Sequence, residues 1–98
     1  MADLRVISSR RLALDRSEFE VEVGRGAVGV HELFQFIERG TVWEYVILDV
    51  EPMQEFNRFR LRCMNWVPES GAFMGMTTIS RPMKAAERKR YGKYLPAA

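Results

Sequence analysis

A glycine-rich segment is the first feature of this sequence whose residue types and spacing could bind a ligand. The segment Gly24-Arg25-Gly26-Ala27-Val28-Gly29 matches the pattern G-x-G-x-x-G, and Asp49 lies 20 residues beyond its last glycine. In dinucleotide-binding folds such glycines let backbone amides approach a pyrophosphate, and an acidic residue at this spacing binds the ribose. The pattern therefore raises the hypothesis of a phosphate or nucleotide site.

Three properties of the surrounding sequence argue against a full dinucleotide site. The segment before the glycines alternates glutamate with apolar residues, whereas a central parallel strand is apolar throughout. The helix predicted after the glycines is too short for a crossover, and 98 residues hold barely half of a dinucleotide-binding domain. We predict a loop that joins a strand to a helix. An anion held at the start of that helix beside Arg25 is the alternative left open.

The sequence contains one histidine and one cysteine, His31 and Cys63. His31 with Glu32 could act as a general base, but it lies off the apolar stripe of the predicted helix, so we expect it to face solvent or to lie at the boundary of the core. Cys63 shares its strand parity with apolar residues, so we expect a buried, unreactive thiol. Asp49 and Glu51 are interpreted as solvated acids at a strand end. We predict no enzyme activity, no metal site and no cofactor.

A row of alternating arginines could bind a phosphate backbone. Arg58, Arg60 and Arg62 share one strand parity with Trp66, an arrangement that can contact phosphates and stack bases. Three basic residues nearer the end of the chain could extend this surface: Arg81, Lys84 and Arg88. The alternative is that the arginines pair with an equally regular acidic row if the two strands are neighbours: Glu18, Glu20 and Glu22.

An apolar group around a second predicted hairpin offers another binding surface. Methionine and phenylalanine are concentrated there, at Met64, Phe73, Met74, Met76 and Met83. Methionine fills gaps in cores and also serves at adaptable partner surfaces. Because Met64 lies on the polar parity of its strand, we expect one face of this hairpin to contact a partner or a second copy of the chain.

The elements that must position these residues are predicted from hydrophobic periodicity. Period-two alternation predicts strands, and apolar residues at i, i+3, i+4 and i+7 predict an amphipathic helix. The predicted strands are Leu4 to Leu14, Glu18 to Val23, Thr41 to Val50, Phe56 to Val67 and Ala72 to Ser80. The first two are predicted to form a hairpin through a turn at Asp15-Arg16-Ser17, with Leu4, Val6, Leu12 and Leu14 of the first strand facing inward. The predicted helices are Val30 to Ile37, ended by Gly40, and a basic one from Pro82 to about Tyr91. We therefore predict an α+β fold in the order β-β-α-β-β-β-α, a mostly antiparallel sheet of about five strands with one helix packed on it.

Length and composition limit the possibilities further. The chain has 98 residues, of which 47% are hydrophobic, so we predict one domain over residues 1–98 with a flexible tail at 92–98. A lone cysteine and the lack of a signal-like or membrane-spanning stretch favour the cytoplasm. Between Arg81 and Lys93 six basic residues face a single acid, Glu87.

Taken together, these patterns predict a small non-enzymatic interaction domain, of the regulator or inhibitor type, that docks on another protein or forms a homodimer. The expected contacts are Arg58, Arg60, Arg62, Trp66, Phe73, Met74 and Met76. The alternative is a nucleic-acid-binding module that uses the arginine row and the basic C-terminal helix. A phage or another mobile element is a further expectation, which rests on protein size and on no particular residue.

Overall fold

A computed structural model of the chain describes residues 1–38, 41–66 and 79–92. Within these ranges the chain forms six strands and one short helix. The strands are β1 (Ala2–Ala13), β2 (Arg16–Gly26), β3 (Leu33–Glu38), β4 (Thr41–Pro52), β5 (Arg58–Trp66) and β6 (Ile79–Arg81), and the helix is α1 (Ala85–Tyr91).

The six strands close into an antiparallel barrel in the order β1-β2-β5-β4-β3-β6. Strands β3, β4 and β5 form a meander, and β6 returns to lie beside β3, which is a Greek-key arrangement. β6 closes the barrel through short ladders with β3 and with residues Ala2 and Asp3 of β1. Each hydrophobic strand therefore has one face that points to a common interior.

The barrel interior contains the main hydrophobic core. Alternate residues of each long strand point inward, so the period-two pattern of the sequence becomes one packed layer. Phe19 lies near its centre, with ring centroids 5.0 Å from Phe34 and 4.9 Å from Tyr45. The buried members of this core are Ala2, Leu4, Phe19, Val21, Val23, Phe34, Tyr45, Ile47, Leu61 and Cys63.

A second, smaller cluster lies outside the barrel wall. Leu33, Val46 and Met64 point outward from β3, β4 and β5, and Met83 in the segment after β6 covers them. All four side chains are buried. Met64 was expected to lie on a polar, partner-facing side of its strand; it is instead buried beneath a later part of the same chain.

The predicted fold class is wrong, because the structure is mostly β and forms a closed barrel. The segment predicted as a helix from Val30 to Ile37 contains β3, which pairs with β4 and β6. Leu33 and Phe34 are both fully buried, one under Met83 and the other inside the barrel. A strand covered on both faces has apolar neighbours at consecutive positions, and that pattern resembles a helical stripe.

The first hairpin forms as predicted, but the residues that face the barrel interior differ from those predicted. β1 and β2 pair antiparallel, with breaks in register between Asp3 and Leu4, Val6 and Ser8, and Arg11 and Ala13. Each break inserts an extra residue and shifts the parity of the strand residues beyond it. Leu12 and Leu14, predicted to face inward, are exposed.

The C-terminal part of the chain agrees only partly with the prediction. The predicted strand from Ala72 to Ser80 lies mostly outside the described residues; its last residues belong to β6, which pairs with β1 and β3 and not with β5. The basic helix is present and begins at Ala85, three residues after the predicted start at Pro82. Residues 93–98 of the expected tail lie outside the described ranges. In the described part of the chain no helix has the length and apolar character needed to cross a membrane.

Candidate interaction surfaces

The glycine-rich segment is the end of a strand and a turn, with no helix start beside it. β2 continues to Gly26, which has φ of 81°, and a Cβ at that position would collide with the backbone oxygen of Met1. The amide of Gly29 donates to the Glu32 carboxylate at 2.7 Å. The amide that could meet an anion is therefore bound to an acidic side chain of the same loop, and the helix dipole invoked in the anion hypothesis is not there.

His31 and Cys63 have different surroundings, since His31 lies in a turn and Cys63 lies inside the barrel. His31 has φ of 68° in the turn before β3, where its backbone amide donates to the carbonyl oxygen of Ile47 at 2.7 Å; the expected helical position was wrong. Cys63 is fully buried inside the barrel, as predicted, and burial raises the pKa of its thiol. The thiol is therefore protonated at neutral pH and has little nucleophilic character.

The arginine row and the acidic row are neighbours across the β2–β5 ladder. Arg62 lies opposite Glu18, and the two adjacent pairs are Arg60 with Glu20 and Arg58 with Glu22. The ion-pair distances are 3.3 Å from Arg62 to Glu18, 3.5 Å from Arg60 to Glu20, and 3.9 Å from Arg58 to Glu22. The structure therefore agrees with the alternative prediction, in which the arginine row pairs with the acidic row across the sheet.

Two more strands extend these pairs into a network. From β4, Asp49 lies 3.0 Å from Arg62 and Glu51 lies 3.2 Å from Arg60. From β1, Arg5 and Arg10 pair with the glutamates of β2 at 3.2 Å and 3.1 Å. We call this set the ion-pair network; it consists of Arg5, Arg10, Arg58, Arg60, Arg62, Glu18, Glu20, Glu22, Asp49 and Glu51.

The ion-pair network has no net charge, because five arginines face five acids. Arg60 is its centre and lies within ion-pair distance of Glu18, Glu20 and Glu51. Its Nε is shielded from solvent without a hydrogen-bond acceptor; the Glu18 carboxylate lies 3.7 Å away. Any phosphate that approached this face would have to displace carboxylates that the arginines already contact.

The end of the barrel that carries the β1–β2 turn exposes apolar side chains. Leu14, in the turn, is 86% exposed and Leu12 is 45% exposed. From Ser8 to Ala13 every residue of β1 is exposed, so this half of the strand extends beyond the core. We call this region the hairpin end. Single exposed leucines are ordinary, but two at one strand end beside a groove form a local apolar surface.

Leu12 lines a groove of about 360 Å³, and Leu14 lies two residues further along the chain. The lining of the groove is mainly apolar and includes Leu12, Ala13, Leu48 and Cys63, with Arg16, Ser17, Asp49 and Arg62 also contributing. Leu12 and Leu48 are each the extra residue at a register break, in β1 and in β4. A bulge redirects a side chain out of the strict alternation, which explains how both leucines come to face one groove.

Sequence reasoning missed the hairpin end because bulges leave no reliable trace in hydrophobic alternation. The parity rule placed Leu12 and Leu14 inward, together with Leu4 and Val6. The one available signal was Leu14 itself, which directly precedes the predicted turn at Asp15. A leucine at that position is adjacent to solvent whatever the strand register.

The expected partner-binding residues are only partly described. Phe73, Met74 and Met76 lie outside the described residues. The backbone of Trp66 pairs with Glu44 at the end of β5, and Met64 pairs with Arg16 beside the β1–β2 turn. Trp66 therefore ends its strand at the hairpin end of the barrel.

The residues expected to contact nucleic acid differ in their surroundings. Arg81 donates to both carboxylate oxygens of Glu87 at 2.7 Å, and the amide of Lys84 donates to the same carboxylate at 2.8 Å. These hydrogen bonds, with that from the Arg81 guanidinium the strongest influence, lower the pKa of Glu87 to about 2. Lys84 and Arg88 have exposed side chains.

Comparison of the chain with protein-family models, with curated proteins and with solved structures found no match.

Proposed function

We propose that this chain is a non-enzymatic interaction domain that docks on another protein through its hairpin end. The observation that carries the proposal is the exposure of Leu12 and Leu14 beside an apolar groove of about 360 Å³. Burying a leucine side chain on association yields roughly 1.5–3 kcal/mol, so these two residues could anchor a complex.

The groove favours a particular kind of partner. Its lining is mainly apolar, and the polar residues that also line it include the Arg62–Asp49 ion pair and Arg16. Protein–protein contact surfaces usually combine an apolar centre with polar residues around it. The proposed partner therefore presents one or two large apolar side chains surrounded by polar groups. A second copy of this chain, as a homodimer, is the alternative occupant.

The contact residues predicted from the sequence have different amounts of support in this proposal. Trp66 ends β5 at the hairpin end, which supports its inclusion in the contact surface. Phe73, Met74 and Met76 remain proposed contacts by their sequence position alone. Arg62 lines the groove, and the ion pairs of Arg58, Arg60 and Arg62 weigh against a role in binding phosphates. We therefore do not propose nucleic-acid binding through the arginine strand.

A capture experiment with two variants tests the docking surface. The variant Leu12→Ser/Leu14→Ser removes the apolar anchors, whereas Phe56→Ser changes a residue that is 89% exposed in the turn between β4 and β5, away from the hairpin end. We expect a partner protein to be captured from the native cell by the unaltered chain and by Phe56→Ser. The double leucine variant should capture at least tenfold less, consistent with the loss of about 1.4 kcal/mol or more.

The salt dependence of capture distinguishes an apolar contact from binding to phosphates. An apolar contact should persist between about 50 mM and about 200 mM salt, whereas binding to phosphates weakens steeply over that range. Equal capture by all three proteins, or a partner released by moderate salt, would contradict the proposal. Sedimentation of the purified chain at micromolar concentration tests whether it forms a homodimer. A dimer that dissociates in the variant Leu12→Ser/Leu14→Ser would identify a second copy of the chain as the partner at the hairpin end.

We further propose a reducing, cytosolic setting for this domain. The lone cysteine has no partner for an internal disulfide, and its burial in the barrel protects the thiol. Fractionation of the native cell should recover the protein with the cytosolic proteins; recovery outside the cell would contradict this setting.

A further inference from the structure

The charge of this protein is divided unequally along the chain. Residues 1–80 contain nine basic and twelve acidic side chains, a net charge of −3. Residues 81–98 contain six basic side chains and one acidic side chain, a net charge of +5. The whole chain carries only +2, so the modest total conceals a strongly basic C-terminal segment.

Two basic residues of helix α1 are exposed to solvent. Arg88 and Lys89 are exposed, as are Ala85 and Ala86 at the helix start. Among the described residues no acidic side chain forms an ion pair with Arg88 or Lys89. Short helices are marginal in water, so a helix of this length depends on contacts with the rest of the protein.

The helix is attached firmly to the barrel at its first turn. Met83 is buried in the cluster outside the barrel wall, two residues before the helix begins. Arg81 and the Lys84 amide both bind Glu87, the only acid of the segment, so this carboxylate is turned toward the barrel side of the helix. The attachment uses the acid of the segment, so within the described residues Arg88 and Lys89 have no acidic side chain as a partner.

We propose that helix α1 binds duplex DNA through its phosphates. Successive helical positions are ~100° apart, so the exposed Arg88 and Lys89 point to different sides of helix α1. Lys84, which is also exposed, lies at the helix start as its N-cap residue. A helix with cations on more than one side suits a groove that has phosphates on both walls, and the major groove of DNA admits a helix. A flat acidic protein surface would meet only one of these sides.

The helix composition argues against a membrane surface as the target. A helix that lies in a membrane interface needs a large apolar face beside its basic one. The described side chains of α1 are two alanines, Glu87, Arg88 and Lys89, which supply no such face. DNA contact by charge alone requires no apolar insertion. This proposal is independent of the hairpin end, which lies on the barrel.

Fluorescence anisotropy of a short labelled DNA duplex tests the proposal. We expect weak, sequence-independent binding, with a dissociation constant of roughly 10⁻⁴ to 10⁻⁶ M near physiological salt. The logarithm of the binding constant should fall with the logarithm of salt concentration with a slope of roughly −3, because about three exposed basic side chains each neutralise a phosphate. Absence of binding even at about 50 mM salt would overturn the proposal.

A matched pair of charge-reversal variants distinguishes an effect of helix α1 on DNA binding from a general effect of net charge. Arg88→Glu/Lys89→Glu should weaken binding at least tenfold and reduce the salt slope by about 2. Arg25→Glu/Gln54→Glu/Phe56→Glu changes the net charge by the same amount at three exposed positions away from the hairpin end and should alter affinity less than twofold. Circular dichroism confirms that both variants fold. An equal loss in both variants overturns the proposal, as does binding to phosphatidylserine vesicles with no binding to DNA.

Discussion

Arginines occur in two regions of this protein with opposite surroundings. On the barrel, Arg58, Arg60 and Arg62 lie in a ladder between glutamates of β2 and acids of β4. On helix α1, Arg88 projects into solvent, and the single acid of that segment is bound by Arg81. The same residue type is therefore neutralised in one region and available in the other.

A row of basic residues in a sequence does not by itself indicate a binding surface. Its role depends on which residues lie beside it in the folded protein. A strand has partners on both sides, so a row of one charge is readily matched by rows of the other. For helix α1, no acidic side chain among the described residues forms an ion pair with Arg88 or Lys89. The ion-pair network is therefore expected to contribute to stability, and helix α1 to binding. Substitutions in the two regions test that division.

Charge reversal at the centre of the network should have the largest effect. Arg60→Glu places a carboxylate among Glu18, Glu20 and Glu51, and we expect the free energy of unfolding to fall by roughly 3 kcal/mol. Urea denaturation measures the change. Arg25→Glu, an exposed position at the end of β2, serves as control and should cost less than about 1 kcal/mol. If Arg60→Glu and Arg25→Glu lowered the free energy of unfolding equally, the ion-pair network would contribute no more to stability than an exposed surface position.

The Arg81–Glu87 pair should stabilise the protein only where Glu87 is ionised. Because the pKa of Glu87 is lowered from 4.5 to about 2, its contribution is complete above pH 4.5 and is lost as the pH falls toward 2. Glu87→Gln should reduce the free energy of unfolding by about 1–2 kcal/mol at neutral pH. The difference between the two proteins should shrink below pH 4.5; a difference independent of pH would contradict this interpretation.

A double-mutant cycle measures the strength of one pair within the network. Arg62→Gln and Glu18→Gln, made singly and together, should give a coupling energy of about 1 kcal/mol, because the two side chains lie 3.3 Å apart across the sheet. About 1 M salt should reduce the coupling by screening. Additive effects of the two substitutions would mean that this pair contributes nothing.

Removing a helix cation should have the smallest effect on stability. Arg88→Ala leaves no buried charge unpaired and replaces arginine with the best helix former, so the free energy of unfolding should change by less than about 0.5 kcal/mol. Thermal unfolding followed by circular dichroism measures it. A loss comparable to that of Arg60→Glu would remove the distinction between the two regions.

The candidate surfaces were predictable to different degrees. The pairing of Glu18, Glu20 and Glu22 with the arginine row was available as an alternative, because both rows alternate with the same period. The burial of Cys63 was predictable from its parity with Phe59 and Leu61. The groove at the hairpin end was not predictable, since it depends on the register breaks that expose Leu12 and redirect Leu48.

The order of residues along the chain was sufficient to indicate which segments alternate, where most strands lie, and that positive charge collects after residue 80. These properties depend on residue type and spacing within one stretch of chain. Three others required the folded molecule: that Leu33 to Glu38 is a strand, that six strands close into a barrel, and that Met64 is covered by Met83. Each of these depends on what a distant segment places against a face, and local periodicity reports only that a face is apolar.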